Sequence, residues 1–227
     1  MNFLLNMRIS QKIMALVAGL AVGFIAIGIA YFIQINAQTQ QAKLRASLDN
    51  AQVSLVELSS LAGRVSDSKE AKAKADELIA TLSKSSIVGN TTELKSVNDF
   101  LGQFAAVGTE LQSSESSLQG LRATLKDAAS ALSRVTGMPP AQYAQIRDRE
   151  FAYRENPSVD NFEAVSRALD QVSAGGEALE GYRSNFESYA YALQNHAALV
   201  GRKAQVETAL NGAITQLASL INDQTVA

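Results

Sequence analysis

Apolar residues recur along most of the chain at alternating intervals of three and four, the spacing of a helix with one buried face. In its clearest part the repeat joins Leu44, Leu48, Ala51, Leu55 and Leu58 into an a/d heptad seam. Stretches rich in glycine, proline and serine interrupt the repeat five times. The pattern therefore predicts six helices, over residues 13–63, 68–83, 92–137, 141–154, 159–172 and 177–222.

The first predicted helix begins with an apolar run from Ile13 to Ile33 that contains no charged residue. At about 1.5 Å per residue this run covers roughly 30 Å, the thickness of a hydrocarbon core. Arg8 and Lys12 precede it, so the positive-inside bias predicts a cytoplasmic tail at residues 1–12 and a transmembrane helix at 13–35. A processed signal segment and a buried helix of a water-soluble protein are the alternatives.

The lengths of the other helices predict how they pack. The third and last helices are long, and the third would span roughly 68 Å. The second, fourth and fifth helices are much shorter. All amphipathic faces find partners if the long helices run past the short ones in two up-and-down four-helix bundles stacked end to end. We therefore predict an all-α domain at residues 36–227, with a membrane-proximal bundle at 36–110 plus 200–222 and a distal bundle at 111–199.

The composition of the chain argues against several classes of function. The chain has 20 basic and 22 acidic residues and no basic stripe, which argues against nucleic-acid binding. It has no cysteine, and His196 is its single histidine, so we expect no disulfide, no metal and no cofactor. Motifs of hydrolases, zinc proteases and nucleotide-binding loops are absent from the sequence, and we expect no enzyme. We interpret His196 as a core or junction residue.

Arginines beside the predicted seams are the candidate binding residues, because a guanidinium near a core requires an internal acid or an anionic ligand. Arginines and tyrosines of three helices are placed to converge on a small carboxylate in the distal bundle: Arg122, Arg147, Arg154, Tyr182 and Arg183. Arg45, Arg64 and Lys203 are candidates for a second, proximal site. The alternatives are a solvated face, an Arg147–Glu150 pair within one helix, or Glu115 as the internal acid of a facing arginine.

Two stretches resemble a known family. The opening MRISQKIMALVAGL is similar to the start of bacterial methyl-accepting chemotaxis receptors. The six-helix plan and the stretch IRDREFAYRENPSVDNFEAVSRAL resemble the helical bimodular sensor domain of such receptors and of some histidine kinases. The resemblance implies an inner-membrane homodimer with a periplasmic domain. It also implies that organic acids bind through Arg147 and Arg183 in the outer bundle and through Arg45 and Arg64 in the inner one.

Two other functions fit the same pattern. One is the sensor region of a histidine kinase that recognises a periplasmic binding protein, and the other is an anchored helical scaffold without a ligand. A receptor of this family also needs a second membrane span and a cytoplasmic signalling rod. No further run of 18 apolar residues occurs after Val200, so we expect the signalling output to lie outside these residues.

Overall fold

The protein is all-helical, as the sequence predicts. A computed structural model describes the backbone of residues 9–226 and the side chains of residues 24–224. Within that part of the chain there are six helices and no strand. The helices are α1 (Ile9–Ala62), α2 (Lys69–Ser83), α3 (Thr92–Ser133), α4 (Pro140–Glu155), α5 (Val159–Asp170) and α6 (Gly176–Val226).

Short polar side chains start three of the helices. Ser68 accepts a hydrogen bond from the amide of Ala71 at the start of α2, and Thr91 does the same for Leu94 at the start of α3. Ser158 caps α5 in the same way. These oxygens satisfy amides that have no partner within the first turn of a helix.

The third helix ends at Ser133, four residues before the predicted end at residue 137. At Arg134 and Val135 the amide hydrogen bonds pass to carbonyl groups three residues earlier, at Ala131 and Leu132. Gly137 then takes a φ of +90°, which glycine adopts without steric cost. The helix therefore tightens and stops before the two prolines, and Pro140 begins α4 at a position where its missing amide costs nothing.

One hydrophobic cluster joins α1 and α2 to the start of α3 and the end of α6. Its residues are almost all aliphatic, and Phe104 is the single aromatic side chain among its buried members. Gly108 of α3 packs directly on the backbone of Ser66 in the α1–α2 turn, since a Cβ atom at Gly108 would lie 1.9 Å from the Ser66 carbonyl oxygen. We call the hydrophobic residues that join these four helical segments the aliphatic cluster.

A second cluster joins α4 and α5 to the end of α3 and the start of α6. Four of its buried residues are aromatic: Tyr153, Tyr182, Phe186 and Tyr189. The Tyr153 ring packs edge-on against Phe186 with centroids 5.4 Å apart, and Phe162 stacks on the same Phe186 ring at 5.5 Å. We call this group the aromatic cluster.

Among the helices that the structure describes, only α3 and α6 contribute residues to both clusters. In this connecting region His196 is partly buried, and its Nδ1 atom lies 3.3 Å from the Ser114 hydroxyl. Val200, which the heptad pattern places on the inner face of α6, is 50 % exposed. That placement is wrong, because half of the surface of Val200 is exposed and this residue belongs to neither hydrophobic cluster of the described residues.

The predicted membrane segment lies partly outside the described residues. Residues 1–8 of the predicted tail are not described, and neither are the side chains of residues 13–23 of the predicted span. In the part that the structure describes, no helix combines the length and the apolar character needed to cross a membrane.

Candidate functional site

A single carboxylate is buried inside the aromatic cluster. The Glu150 side chain is 1 % exposed, and it is the only charged side chain among the buried residues that the structure describes. Its Oε2 atom accepts hydrogen bonds from the guanidinium of Arg147 and from the hydroxyl of Tyr182. Arg154 forms an ion pair with the other carboxylate oxygen, Oε1. Glu150 thus links two arginines of its own helix to a tyrosine of α6.

The helical spacing of α4 produces this arrangement. Arg147 precedes Glu150 by three residues and Arg154 follows it by four, so all three side chains lie on one face of the helix. Ile146 and Tyr153, both fully buried, turn this face toward the core. The Arg147–Glu150 pair, one of the alternatives that the sequence leaves open, is therefore present.

The ionisation of these groups follows from burial and from the carboxylate. Burial opposes the charge of Arg147, but Glu150, Tyr182 and Tyr143 together outweigh burial and raise the pKa of Arg147 above its ordinary value. Burial, reinforced by Glu150, raises the pKa of Tyr182 well beyond its usual range. At neutral pH, Arg147 is therefore a cation and Tyr182 a neutral donor.

One end of this network is not fully hydrogen-bonded. Oε1 of Glu150 and Nε of Arg154 are both buried and have no hydrogen-bond partner among the described residues. The contact of Arg154 with Oε1 is an ion pair without hydrogen-bond geometry. The Arg154 guanidinium also lies 5.5 Å from the centre of the Tyr189 ring, a cation–π contact with α6. Arg154 therefore retains donor capacity in the site.

The outer sides of the two arginines face a depression of about 450 Å³ between α3 and α4. Arg122 and Lys126 of α3 line the opposite wall, one helical turn apart. Gln119 and Ala123 complete the lining, and no acidic residue belongs to it. Four cationic side chains therefore surround one depression, and the described carboxylate behind it, Glu150, forms ion pairs with two of them, Arg147 and Arg154.

The other distal candidates lie elsewhere. Arg183 pairs with Asp170, with 2.7 Å between Nη2 and Oδ1, and it does not line the α3–α4 depression. Tyr182 is fully buried, and its hydroxyl is used by Glu150. The structure thus brings Arg122, Arg147 and Arg154 together and leaves Arg183 apart. Glu115, the other internal acid considered from the sequence, is exposed on α3.

The proximal candidates do not meet either. Arg45 and Arg64 are both exposed, and 19 residues of nearly continuous helix separate them, which corresponds to roughly 28 Å. Lys203 donates to Asp67 at 2.9 Å and lies 5.7 Å from the centre of the Phe104 ring. A polar pocket of about 370 Å³ exists instead between α1 and the end of α2. It contains Lys43 and Lys84, which the sequence reasoning did not select.

No protein-family model, curated protein or solved structure matches this chain. The geometry of the described residues therefore carries the functional argument.

Sequence reasoning missed Lys126 and the central position of Glu150. Lys126 follows Arg122 by four residues, a spacing that puts both on one face of a helix. Glu150 lies three residues after Arg147 and four before Arg154, and this spacing also predicts that the two arginines share it as a partner. The sequence does not reveal how each helix is rotated about its axis. That rotation places Arg122 and Lys126 opposite α4 and places Arg183 beside Asp170.

Proposed function

We propose that this chain is the extracytoplasmic sensor region of a homodimeric transmembrane chemoreceptor, anchored by residues 13–35, and that it binds a small organic acid between α3 and α4. The domain itself binds and does not catalyse. Four cationic side chains around one depression, with no acid in its lining, are the observation that supports this proposal.

The balance of charge favours an anion in this depression. Like charges held close together in a partly desolvated site raise one another's electrostatic free energy. Glu150 compensates part of that cost for Arg147 and Arg154, while Arg122 and Lys126 face the depression from the other helix. A carboxylate in the depression offsets the remaining repulsion and matches the planar donor fork of an arginine.

The same network offers a route from the ligand to α6. Glu150 accepts a hydrogen bond from Tyr182, and Arg154 lies over the ring of Tyr189, and both tyrosines belong to α6. An anion that draws Arg147 and Arg154 toward the depression weakens their hold on Glu150 and alters the contact between α4 and α6. Because α6 continues without a break into the aliphatic cluster, a shift at its start reaches the other end of the domain. A ligand moves this equilibrium only by its difference in affinity for the two arrangements.

Calorimetric titration of the full chain in detergent micelles tests the proposal. The probes are acetate, succinate and citrate, which carry one, two and three carboxylates, with sodium chloride at equal ionic strength as the blank. We expect at least one of the acids to bind saturably and to raise the melting temperature of the protein. The absence of heat and of a melting shift for all three would reject a carboxylate site.

A matched pair of variants locates the site. Arg122→Ala removes an exposed cation of the depression, and Arg149→Ala removes an exposed arginine of α4 that does not line it. A hydrogen bond to a charged group contributes about 1.5–3 kcal/mol, so we expect R122A to weaken binding by roughly tenfold or more. R149A should bind like the unsubstituted chain, and equal effects of the two variants would exclude the α3–α4 depression.

A ligand-free scaffold is the second candidate, and the pairing of Arg147 and Arg154 with an internal acid favours it. The two functions predict different behaviour for Glu150→Gln. If Glu150 competes with an outside anion for the arginines, this variant binds the acid more tightly although it is less stable. If Glu150 only neutralises the arginines within a scaffold, the variant is less stable and binds none of the three acids.

A further inference from the structure

A polar stripe runs along α1 where this helix meets the end of α2. Its residues follow one another at intervals of four, three and four, which places them on one face of the helix: Lys43, Ser47, Asn50 and Ser54. Thr81, Lys84 and Ser85 at the end of α2 lie opposite the stripe, and together these residues line the polar pocket of about 370 Å³. We call this cavity the α1–α2 pocket.

The positive charge of the α1–α2 pocket is not neutralised by a neighbouring acid. Lys43 and Lys84 are the only charged residues in its lining. Neither lysine forms an ion pair with an acid in the part of the chain that the structure describes. The end of α2 contributes the equivalent of about half a negative charge, which is smaller than the charge of two ammonium groups. The pocket therefore retains a net positive charge.

Hydroxyl groups from both helices meet inside the pocket. The Oγ atoms of Ser47 and Ser85 lie 3.1 Å apart and connect α1 to the end of α2. The Ser85 oxygen also accepts a hydrogen bond from the Ile87 amide at 3.2 Å, so its position is fixed by the following turn. Ser54 is 7 % exposed and supplies a third hydroxyl from the inner wall. These donors surround the cavity before any ligand is bound.

The chemistry of the α1–α2 pocket differs from that of the depression between α3 and α4. Arginine presents a planar fork that matches a carboxylate, and three of the four cations at the depression are arginines. The lining of the α1–α2 pocket contains lysines and hydroxyls and no arginine. An ammonium group acts as a point charge without a preferred plane and is a common ligand of phosphate. Donors that approach from several directions suit a tetrahedral group with three or four oxygens.

We propose that the α1–α2 pocket binds the phosphate group of a small, soluble phosphate monoester, at a site separate from the one proposed for the organic acid. A phosphate monoester carries a charge of about −1.5 to −2 at pH 7, which balances Lys43 and Lys84. Pockets for small ligands measure about 300–1,000 Å³, so this cavity has room for a phosphate with a short organic substituent. Neither the α3–α4 depression nor the membrane anchor takes part in this site.

Calorimetric titration of the full chain tests the site directly. The protein is held in micelles of a detergent without phosphate, and the probes are inorganic phosphate and glycerol 3-phosphate, with sodium chloride at equal ionic strength as the blank. We expect saturable binding of glycerol 3-phosphate and a rise in the melting temperature of the protein. The absence of heat and of a melting shift for both probes would overturn the proposal.

Three lysine variants locate the phosphate. Lys43→Gln and Lys84→Gln each remove one charge from the pocket, whereas Lys69→Gln removes an exposed lysine of α2 that does not line it. From the usual strength of a hydrogen bond to a charged group, we expect K43Q and K84Q each to weaken glycerol 3-phosphate binding by roughly tenfold or more. K69Q should bind like the unsubstituted chain. Equal affinities of all three variants would exclude the α1–α2 pocket.

A second pair of variants places a negative charge at the site. Ala46→Glu adds a carboxylate to the pocket wall, and Ala73→Glu adds one to an exposed position of α2 outside the lining. Both alanines are exposed, so both variants should retain the helical content of the unsubstituted chain. We expect A46E to lose phosphate binding because its carboxylate repels the ligand, and A73E to keep it. Phosphate binding that survives A46E would contradict the proposal.

Further titrations separate this site from the other sources of an anion. R122A should bind glycerol 3-phosphate normally, and a loss there would move the phosphate to the α3–α4 depression. Weaker succinate binding in K43Q would mean that the pocket takes carboxylates. Displacement of glycerol 3-phosphate by phosphatidylglycerol in mixed micelles would assign the pocket to a lipid head group. Each of these results overturns the proposal, whereas a failure of every organic acid to bind would reject only the proposed function.

Discussion

The aliphatic and aromatic clusters share two long helices but are filled with different chemistry. The aliphatic cluster is built from leucine, valine, isoleucine and alanine with one phenylalanine, Phe104, and the buried polar groups beside it are the hydroxyls of Ser54 and Ser66. The aromatic cluster encloses three tyrosines around a buried carboxylate. Apolar burial is nondirectional, whereas a buried charge is tolerated only with fixed partners. The comparison teaches that the first region is specified by shape and the second by a polar network as well.

Removing the carboxylate is the strongest test of this difference. Glu150→Gln leaves Arg147 and Arg154 without their acid, and breaking a buried ion pair in this way costs about 3–5 kcal/mol. Glu155→Gln changes an exposed acid of the same helix and should have almost no effect. The free energy of unfolding by urea measures both. Equal stability of the two variants would mean that the network does not specify the aromatic cluster.

Close backbone packing is the corresponding test for the aliphatic cluster. In Gly108→Ala the new methyl group meets the Ser66 carbonyl at 1.9 Å, so α3 or the α1–α2 turn must shift. We expect a loss of about 3 kcal/mol, the upper range for overpacking. Gly120→Ala is the matched control, because nothing lies within 4 Å of a Cβ at that glycine of the same helix. Since alanine is the better helix former, G120A should stabilise by about 0.5–1 kcal/mol. A G108A variant as stable as G120A would contradict the close contact.

The tyrosine that joins Glu150 to α6 gives an intermediate effect. Tyr182→Phe deletes one hydrogen bond to a charged group, which contributes about 1.5–3 kcal/mol. Tyr191→Phe, at a tyrosine of α6 that is 68 % exposed, is the control and should be neutral.

The pH dependence of the same pair sharpens the comparison. The pKa of Tyr182 is raised in the folded protein from its ordinary value of 10.0. Its contribution to stability is therefore complete below pH 10 and falls as the pH rises above it, because the unfolded chain then loses the proton first. Alkaline urea titrations should show a smaller loss of stability in Y182F than in Y191F. Parallel curves for the two variants would exclude Tyr182 as the source.

How well the sequence predicts the burial of a residue also differs along the chain. The repeat at Leu94, Val97, Leu101 and Phe104 predicts a buried seam, and all four residues are buried. Val200 belongs to an equally regular repeat but is exposed. The repeat identifies one face of α6 and does not reveal how many helices pack against that face. Periodicity records the face of one helix, whereas burial depends on its neighbours.

The candidate site was less predictable than the fold for a related reason. The sequence identifies Arg122, Arg147 and Arg154 as residues that need a partner, and the structure places all three at one depression. The sequence does not show that Arg183, which follows Tyr182 directly, pairs instead with Asp170 of α5. Long flexible cations reach several neighbours, so their partners depend on helix rotations that residue spacing does not fix.

The smallest expected effect concerns a charged pair at the edge of the aliphatic cluster. Lys203 donates to Asp67 at 2.9 Å and, together with the Ser66 hydroxyl, lowers the pKa of that aspartate below its ordinary value. The Asp67 side chain is 65 % exposed, so solvent screens the pair, and its loss in Lys203→Met should cost less than about 1 kcal/mol. Because the folded pKa is the lower one, the contribution is present above the unfolded pKa and disappears as the pH falls through the folded value. Urea unfolding at pH 7 and pH 3, with and without salt, should therefore show a smaller K203M effect at pH 3 than at pH 7, and a smaller effect with salt than without it. A loss as large as that of Glu150→Gln would mean that the aliphatic cluster also depends on a charged network.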